Sequence, residues 1–526
     1  MVAIDLNGEG APLEEFALHD SSEFLSNGLP HLPNLKEFRI NRIRKEALPN
    51  GGWEQLVALR QLEIYACFEL KSLPDGLTQL QSLQNLEISC CDKVPLLPEG
   101  LGQLKKLQSL RIRHLEVLTC LPDSLGQLES LERLEILDSK NLQSLPEGLG
   151  ELKKLKSLQI SDAEALICLP NSLAQLESLE RLKILDSENL QSLPEGLGEL
   201  KKLKLLKIRG VEVLTFLPNS LGQLESLEEL EIECLKKFEL PLEELEQLKK
   251  LKSLRISGDE ELTRLPDSLG QLESLERFEI IGLAKLESLP HSLVQLKKLR
   301  TLRIENMEAL INLPKSLGQL ESLECFKIIG LAKLESLPHS LAQLKKLRTL
   351  RIENMKALIN LPESLGQLES LVDFKIIGLA KLESLPHSLV QLKKLRTLTI
   401  RNTEALINLP ESLGQLESLT ELTIRDCGKL KSLPNTLAQL KSLDFLSIGG
   451  WKELESLPHW LGQLKALRRL AISDCTALRS LPHWLKSLPL LRHLRIRGCP
   501  LLSERCGREG GKDWPKISRI PNFVIF

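Results

Sequence analysis

The sequence has few aromatic residues and almost no net charge. Phe, Trp and Tyr together make up 3% of the 526 residues, and 69 Lys and Arg are balanced by 71 Asp and Glu, for a formal net charge of −2. Without excess positive charge, the chain lacks the attraction that drives most binding to nucleic acids and anionic membranes. No apolar run approaches the ~18 residues that cross a bilayer. We therefore expect no membrane partner and regard nucleic acid as an unlikely one.

Cysteines are also sparse for a chain of this length. The eleven cysteines include no Cys-x-x-Cys pair, and no Asn-x-Ser/Thr glycosylation site occurs. A secreted protein of this size usually carries several such sites or a disulfide framework. Both absences predict a reducing, cytoplasmic location.

One 24-residue period runs through nearly the whole chain. Isoleucine stands at position 40 and at every 24th residue up to 496, twenty times without a miss. The frame around each isoleucine, shown for one repeat, is Leu131-x-x-Leu134-x-Ile136, Leu142-x-x-Leu145-Pro146 and then leucine at 149, 152 and 155. Self-similarity at a fixed spacing of this size is typical of repeat architectures.

Each repeat predicts a short strand followed by a short helical return. The alternation of Leu134 and Ile136 is typical of a strand with one buried face. Pro146 fixes φ where the return begins, and leucine at every third position favours a 3₁₀ or short helical stretch. One repeat cannot bury its leucines alone, so copies must stack.

The sequence thus predicts an α/β solenoid of about 20 repeats. We expect a parallel β-sheet on the concave face, short helical or 3₁₀ segments on the convex face, and a horseshoe shape. The period assigns residues 29–502 to the solenoid. Residues 1–28 then form an N-terminal leader or cap, and residues 503–526 form a C-terminal capping tail.

This frame resembles the leucine-rich repeat. The best copies read Leu419-x-x-Leu422-x-Ile424-x-x-Cys427-x-x-Leu430-x-x-Leu433-Pro434, and Ser-Leu-Pro stands where plasma-membrane plant receptors have Gly-x-Ile-Pro. This form resembles the cytosolic repeats of plant nucleotide-binding leucine-rich-repeat disease-resistance proteins. The resemblance implies a defense role: the repeats would sense a protein ligand, either a pathogen effector or a host signalling protein, and bias a neighbouring switch domain.

The C-terminal tail, with Cys499-Pro500 and Asp513-Trp514-Pro515, also resembles the way those receptors end. We treat it as a more specific signal than any single repeat, because repeat packing is not expected to require its residues. The nucleotide-binding module of such receptors is missing, since no Gly-x-x-x-x-Gly-Lys-[Ser/Thr] motif occurs, and no cofactor is expected. The chain is then the sensor part of such a receptor, a truncated paralogue or a free-standing repeat protein.

Two other classes of protein offer alternatives. A free-standing signalling scaffold resembling the Ras-associated leucine-rich-repeat proteins would use similar repeats, but we would not expect it to share the tail around Trp514. A ubiquitin ligase would need an appended catalytic domain, and the repeats leave no room for one. We therefore expect a non-enzymatic chain.

Strand residues that alternate with leucine and isoleucine are expected on the concave face, where solenoids usually bind their ligands. The candidate protein-binding residues are Arg111, Lys183, Lys207, Glu231, Arg255, Arg303, Lys327, Arg351, Lys375, Phe445 and Arg495. From Lys207 to Lys375 the central column carries six positive and two negative charges, but the flanking columns reduce the sum to roughly +1. Such a mixed surface favours a protein partner over a polyanion, and a merely solvated sheet face is the alternative.

Specificity is expected in the irregular ends of the solenoid. The only aromatic residues in concave positions are Tyr65 and Phe445, although aromatic side chains usually dominate binding hot spots. Residues 281–328, 329–376 and 377–424 are nearly copies of one 48-residue unit, and copied surfaces are not expected to form a unique pocket. The regions around 50–120 and 440–500 are therefore the favoured sites of specificity.

The ends also differ in charge. Residues 468–519 hold twelve Lys and Arg against four Asp and Glu, whereas residues 1–40 hold seven acids against two bases. The basic end could dock an acidic companion domain, and a cap that is merely solvated agrees with this charge at least as well.

No metal site is expected, because the histidines at 291, 339 and 387 recur two strands apart, about 10 Å. The cysteines at 67, 91, 427, 475 and 499 share one repeat position and are expected as buried thiols rather than disulfides.

Overall fold

The computed structural model describes residues 14–19, 29, 31–233, 244–258, 261–507 and 510–525. It divides into two compact units, residues 1–259 and residues 260–526. Each unit is a stack of strand-and-turn repeats with its own leucine core.

In its described part, the first unit has eleven strands that pair in parallel in chain order. The strands are β1 (Glu15–His19), β2 (Glu37–Asn41), β3 (Gln61–Tyr65), β4 (Asn85–Ser89), β5 (Ser109–Arg113), β6 (Arg133–Leu137), β7 (Ser157–Ser161), β8 (Arg181–Leu185), β9 (Leu205–Arg209), β10 (Glu229–Glu233) and β11 (Ser253–Ser257). The 3₁₀ segments are Trp53–Gln55, Asp75–Gln79, Glu99–Gln103, Asp123–Gln127, Glu147–Glu151, Asn171–Gln175, Glu195–Glu199, Asn219–Gln223 and Glu244–Gln247.

The described part of the second unit continues the same pattern and ends in two short helices. Its strands are β12 (Arg277–Ile281), β13 (Thr301–Glu305), β14 (Cys325–Ile329), β15 (Thr349–Glu353), β16 (Asp373–Ile377), β17 (Thr397–Arg401), β18 (Glu421–Arg425), β19 (Phe445–Gly449), β20 (Arg469–Ser473), β21 (His493–Arg497) and β22 (Asn522–Ile525). The 3₁₀ segments are Asp267–Gln271, His291–Gln295, Leu317–Gln319, His339–Gln343, Glu363–Gln367, His387–Gln391, Glu411–Gln415, Asn435–Gln439, His459–Gln463 and His483–Ser487, and the helices are α1 (Pro500–Arg505) and α2 (Trp514–Ile517).

The predicted solenoid is confirmed in the register of the strands. Equivalent residues 24 positions apart face each other, as Leu134 faces Leu158 and Ile136 faces Ile160 in β6 and β7. The twenty isoleucines of the period occupy the fourth position of β2 to β21. Two further strands lie outside that period: β1 falls within the range assigned to the leader, and β22 within the tail. Residues 1–13 and 20–28 of the predicted leader lie outside the described residues.

The core consists of the leucines and isoleucines that the frame repeats. Leu149, Leu152 and Leu155, the spaced leucines of one return, are at most 1% exposed. In the second unit, Phe278, Phe326 and Phe374 replace the strand leucine in alternate repeats and are also fully buried. Burying each such side chain contributes about 1.5–3 kcal/mol, so every repeat adds stability only where its neighbours cover it.

A left-handed turn follows most strands, two residues after the isoleucine. Asp138 and Asn306 adopt positive φ angles of 52° and 54° there, and Gly330 adopts 67°. Asn, Asp and Gly are the residue types that tolerate this conformation. A Cβ atom at Gly330 would also lie 2.5 Å from the Asn306 side-chain oxygen of the preceding repeat. The repeat therefore favours Asn, Asp or Gly at this position, although Ala66 and His114 adopt the same conformation in the first unit.

The C-terminal tail is fastened to the last repeats by one buried carboxylate. Asp513 is fully buried and accepts hydrogen bonds from Arg505 Nε at 2.9 Å, from Lys516 Nζ at 2.6 Å and from the backbone N–H of Leu481 at 3.1 Å. The strand β22 pairs with β21, and Trp514 contacts Phe523 edge-on with ring centroids 5.2 Å apart. The expectation that packing does not require the tail residues was therefore wrong, because they close the end of the core.

We predict that Asp513→Asn loosens this cap. Burial alone would raise the pKa of Asp513, but the hydrogen bonds from Arg505, Lys516 and Leu481 outweigh it and hold the pKa below 3.8. Such a carboxylate stabilises the fold above its ordinary pKa and loses that effect as the pH falls through its depressed value. The substitution should lower the opening free energy of β21 and β22, measured by hydrogen exchange near pH 6, by about 2–3 kcal/mol.

The difference between the two proteins should shrink as the pH falls through the depressed pKa of Asp513, since the wild-type carboxylate then becomes neutral. A matched control is Asp474→Asn, because Asp474 is 56% exposed and lies 3.5 Å from Arg425. An exposed pair of this kind contributes less than about 1 kcal/mol. Equal exchange in wild type and in Asp513→Asn would contradict the role assigned to the buried carboxylate.

Candidate protein-binding face

The strands place the predicted binding residues on one side of each sheet. We call this side the sheet face: it carries the first, third and fifth side chains of every strand, which point away from the leucine core. In the first unit, the third positions of β5, β8, β9, β10 and β11 hold Arg111, Lys183, Lys207, Glu231 and Arg255. Lys183 faces Lys207 in the register, and Glu231 lies between Lys207 and Arg255.

The second unit brings four of the predicted cations together in adjacent strands. Arg303, Lys327, Arg351 and Lys375 occupy the third positions of β13 to β16 and face one another in turn. Phe445 lies at the first position of β19 and Arg495 at the third position of β21, so neither lies beside these four cations.

Salt bridges within the sheet face neutralise most of the column in the first unit. Arg111 Nε lies 3.0 Å from Glu135 Oε2, and its Nη1 lies 3.7 Å from Glu87 Oε2. Glu231 lies 2.7 Å from Lys207 and 3.6 Å from Arg255. Because the strands are parallel and in register, each charge meets the opposite charge of its neighbour at the spacing of one strand.

In the second unit, arginines pair with the acid two residues further along the same strand. Arg303 Nε donates to Glu305 at 2.7 Å, and Arg351 Nη2 donates to Glu353 at 2.7 Å. The side chain of Glu353 is only 8% exposed, and its hydrogen bond raises the pKa of Arg351. Lys375 lies 3.3 Å from Asp373. The arginines therefore hold nearly buried acids, and an incoming anion would have to displace those acids.

Lysines 183 and 327 differ from the rest of the column. Within the described residues neither Lys183 nor Lys327 forms a salt bridge, and both are half-buried among the flanking strands. Arg495, which is exposed, likewise forms none there. These three cations are available to a partner without loss of an internal pair.

Phe445 is covered by Arg469 rather than exposed as an aromatic anchor. The Arg469 guanidinium lies 4.8 Å from the ring centroid and donates to Glu421 and Asp444, each at 2.9 Å. The central positions beside Phe445 are small, with Ser447 and Gly449 buried. Sequence reasoning missed Arg469, although its position 24 residues after Phe445, at the same place in the next strand, was a usable signal.

The cysteines that share a repeat position are buried free thiols in the structure. Cys475 and Cys499 lie in adjacent repeats, and each thiol donates a hydrogen bond to a backbone oxygen of its own repeat, Ser473 O and Arg497 O, at 3.4 Å. In the described part of the chain, no three His, Cys, Asp or Glu side chains are arranged to hold a metal ion. No described helix is long and apolar enough to cross a membrane.

The repeated frame is shared with a known family of proteins. A family model described as a leucine-rich repeat region matches residues 41–166, 257–384 and 387–509, which is more than half of the chain. The chain belongs to the leucine-rich-repeat family. No curated protein sequence matches it. A leucine-rich-repeat solenoid of this kind is suited to protein recognition, since its sheet presents one extended array of side chains.

Several solved leucine-rich-repeat structures are similar in fold. The LRR protein LIC12759 of Leptospira interrogans is 26% identical, with a TM-score of 0.51, over 92% of this chain and 100% of that chain. The plant peptide hormone receptor RGFR1, solved with RGF2, is 18% identical, with a TM-score of 0.46, over 94% and 95%. The ectodomain of the receptor kinase GASSHO1/SCHENGEN3 from Arabidopsis thaliana, solved with CASPARIAN STRIP INTEGRITY FACTOR 2, is 18% identical, with a TM-score of 0.38, over 88% and 76%. None of these likenesses assigns a ligand to this chain.

The pairing pattern predicts that two neighbouring charge reversals differ strongly in their effect on stability. Arg351→Glu leaves Glu353 facing a second carboxylate instead of its guanidinium, so we expect stability to fall by about 2–3 kcal/mol. Lys327→Glu breaks no salt bridge and should change stability by less than about 0.5 kcal/mol. Urea unfolding of both variants measures the difference, and equal shifts in midpoint would contradict the assigned pairs.

Proposed function

We propose that this chain is a non-enzymatic protein-recognition module of the cytoplasm, corresponding to the ligand-sensing leucine-rich-repeat region of a plant disease-resistance receptor. The observation that carries the recognition role is the sheet face of mixed charge. Its arginines are held in place by internal acids, and cations such as Lys183 and Lys327 are left for a partner. Prearranged side chains lose little conformational entropy on binding.

The plant-receptor part of the proposal rests on sequence resemblance. The repeats follow the form ending in Cys427, Leu430 and Leu433-Pro434, and the tail carries Asp513-Trp514-Pro515. In this chain Asp513 holds the C-terminal cap together, which gives the motif a structural role. The resemblance therefore concerns the whole tail rather than a residue that binds a ligand. Buried free thiols and the absence of glycosylation sites support a reducing compartment.

The partner would be a protein, either a pathogen effector or a host signalling protein. Its binding along the sheet face would bias a switch domain, which makes the role one of signal transduction. The basic C-terminal end, residues 468–519, offers a docking surface for an acidic companion domain. A free-standing signalling scaffold would use the same sheet face without a switch.

Partner capture tests the sheet face directly. The full chain with Lys183→Glu and Lys327→Glu should recover its partner from plant cytosolic extract at least about fivefold less well than wild type, because opposed charges at an interface weaken binding. The control carries Lys333→Glu and Lys381→Glu, at two exposed lysines in turns that follow strands of the second unit. Unchanged recovery by the first variant would exclude the sheet face as the binding surface.

Transcript sequence upstream of Met1 separates the receptor from the scaffold. An in-frame nucleotide-binding module would support the disease-resistance receptor, whereas an in-frame stop codon directly upstream would exclude its full-length form. Neither result depends on the binding experiment, so the recognition role and the receptor role are tested independently.

A further inference from the structure

A row of charged residues borders each sheet where its strands begin. We call it the edge row: it holds the residue four positions before each period isoleucine. Between residues 132 and 252 of the first unit the row reads Glu132, Lys156, Glu180, Lys204, Glu228 and Lys252, and between residues 276 and 420 of the second it reads Glu276, Arg300, Glu324, Arg348, Val372, Arg396 and Thr420. Backbone hydrogen bonds join consecutive members, as Arg348 N–H donates to Glu324 O and Val372 N–H to Arg348 O, each at 2.8 Å.

Acids and bases alternate along this row and pair with each other. Lys156 lies 2.9 Å from Glu132, Lys204 lies 3.2 Å from Glu180, and Lys252 lies 2.8 Å from Glu228. In the second unit, Arg300 lies 3.7 Å from Glu324. Acidic and basic repeats thus alternate, and the carboxylate of an acidic repeat pairs with the cation of a neighbouring repeat.

The alternation fails at two places in the second unit, on either side of Arg396. Val372 and Thr420 stand where the first of the three 48-residue copies has Glu324. Within the described residues, Arg348 and Arg396 consequently form no salt bridge, and the Thr420 hydroxyl donates to the backbone oxygen of Arg396 at 3.1 Å. Arg396 therefore has no acid on either side of it in the row, and the one acid beside Arg348 is Glu324, which pairs with Arg300 instead.

A cleft of about 530 Å³ opens at this break. Its cationic walls are Lys346, Arg348, Lys394 and Arg396, arranged around Val372, and all four cations are exposed. Its one acid is Glu324, which is already paired with Arg300. The described lysines of the cleft, 346 and 394, form no salt bridge either. A cleft with four cations and one occupied acid is strongly anion-seeking.

We propose that this cleft binds an acidic peptide segment of the protein partner. Carboxylates of the partner would lie beside Val372 and Thr420, where an acid stands in other repeats of the row. Arg348 and Arg396 lie two strands apart, about 10 Å, and an extended peptide covers that distance in about three residues. The ligand is therefore an extended segment rich in carboxylates, crossing the edge of the sheet. This inference rests on the proposed protein-recognition role and assigns one part of its contact surface.

Restoring the missing acids is the sharpest test. Val372→Glu with Thr420→Glu rebuilds the edge row with the residue type that it carries elsewhere, so the change suits the fold. A fluorescein-labelled octaglutamate peptide, measured by anisotropy with the full chain, should bind wild type and lose at least about tenfold in affinity in this variant. Arg348→Glu with Arg396→Glu should weaken binding at least as much. The control, Lys204→Glu, reverses an edge-row charge that is already paired and should leave the affinity within about twofold.

The outcomes separate the cleft from the sheet face. Equal peptide affinity in wild type and in the Val372→Glu, Thr420→Glu variant overturns the inference, as does an equal loss in Lys204→Glu, which would indicate general charge attraction. Tighter binding of single-stranded DNA that depends on Arg348 and Arg396 would also overturn the assignment to a peptide. If sheet-face reversals abolish partner capture while the restored acids do not weaken it, the cleft inference fails and the proposed function stands.

Discussion

A leucine or isoleucine in this protein is covered from water by its counterparts in the neighbouring repeats, and the rest of the structure depends on that constraint. The side chains of one repeat, such as Leu134, Ile136 and Leu149, are fully buried only because the adjacent repeats present the same residues in the same register. A slip of one residue would turn every strand leucine toward solvent. The 24-residue period is therefore kept through both units, and the core positions vary only among apolar side chains such as Leu134 and Phe278, while charged residues vary on the sheet face, the edges and the turns.

The same register organises the charges. Because equivalent positions lie one strand apart, any charged residue on the sheet face meets the residue 24 positions away. Lys207 and Arg255 both pair with Glu231 for this reason, and Lys156 pairs with Glu132 in the edge row. On a sheet face built in this way, most charges are paired within the protein. Departures such as Lys327 on the sheet face, and Arg348 and Arg396 beside Val372, are then the places where a partner supplies the missing charge.

The hydrophobic frame could be read from the sequence, and the contacts of the charged residues could not. Twenty isoleucines at a constant spacing predict the strands, their parallel pairing and the buried face. The pairing of Arg351 with Glu353 depends on side-chain direction within one strand, and the role of Asp513 depends on a tail that folds back onto Leu481. The near-identity of the 48-residue copies also concealed an informative difference, the replacement of Glu324 by Val372 and Thr420.

Lysine footprinting of the chain bound to its partner tests the central claim most directly, because it reads the contact surface without any substitution. Acetylation followed by mass spectrometry should show protection of Lys327 on the sheet face and of Lys346 and Lys394 in the cleft. Lys333 and Lys381, in the turns that follow the strands, should react equally in the free and bound chain. Protection of Lys333 and Lys381, with Lys327, Lys346 and Lys394 unchanged, would contradict recognition through the sheet face and its edge.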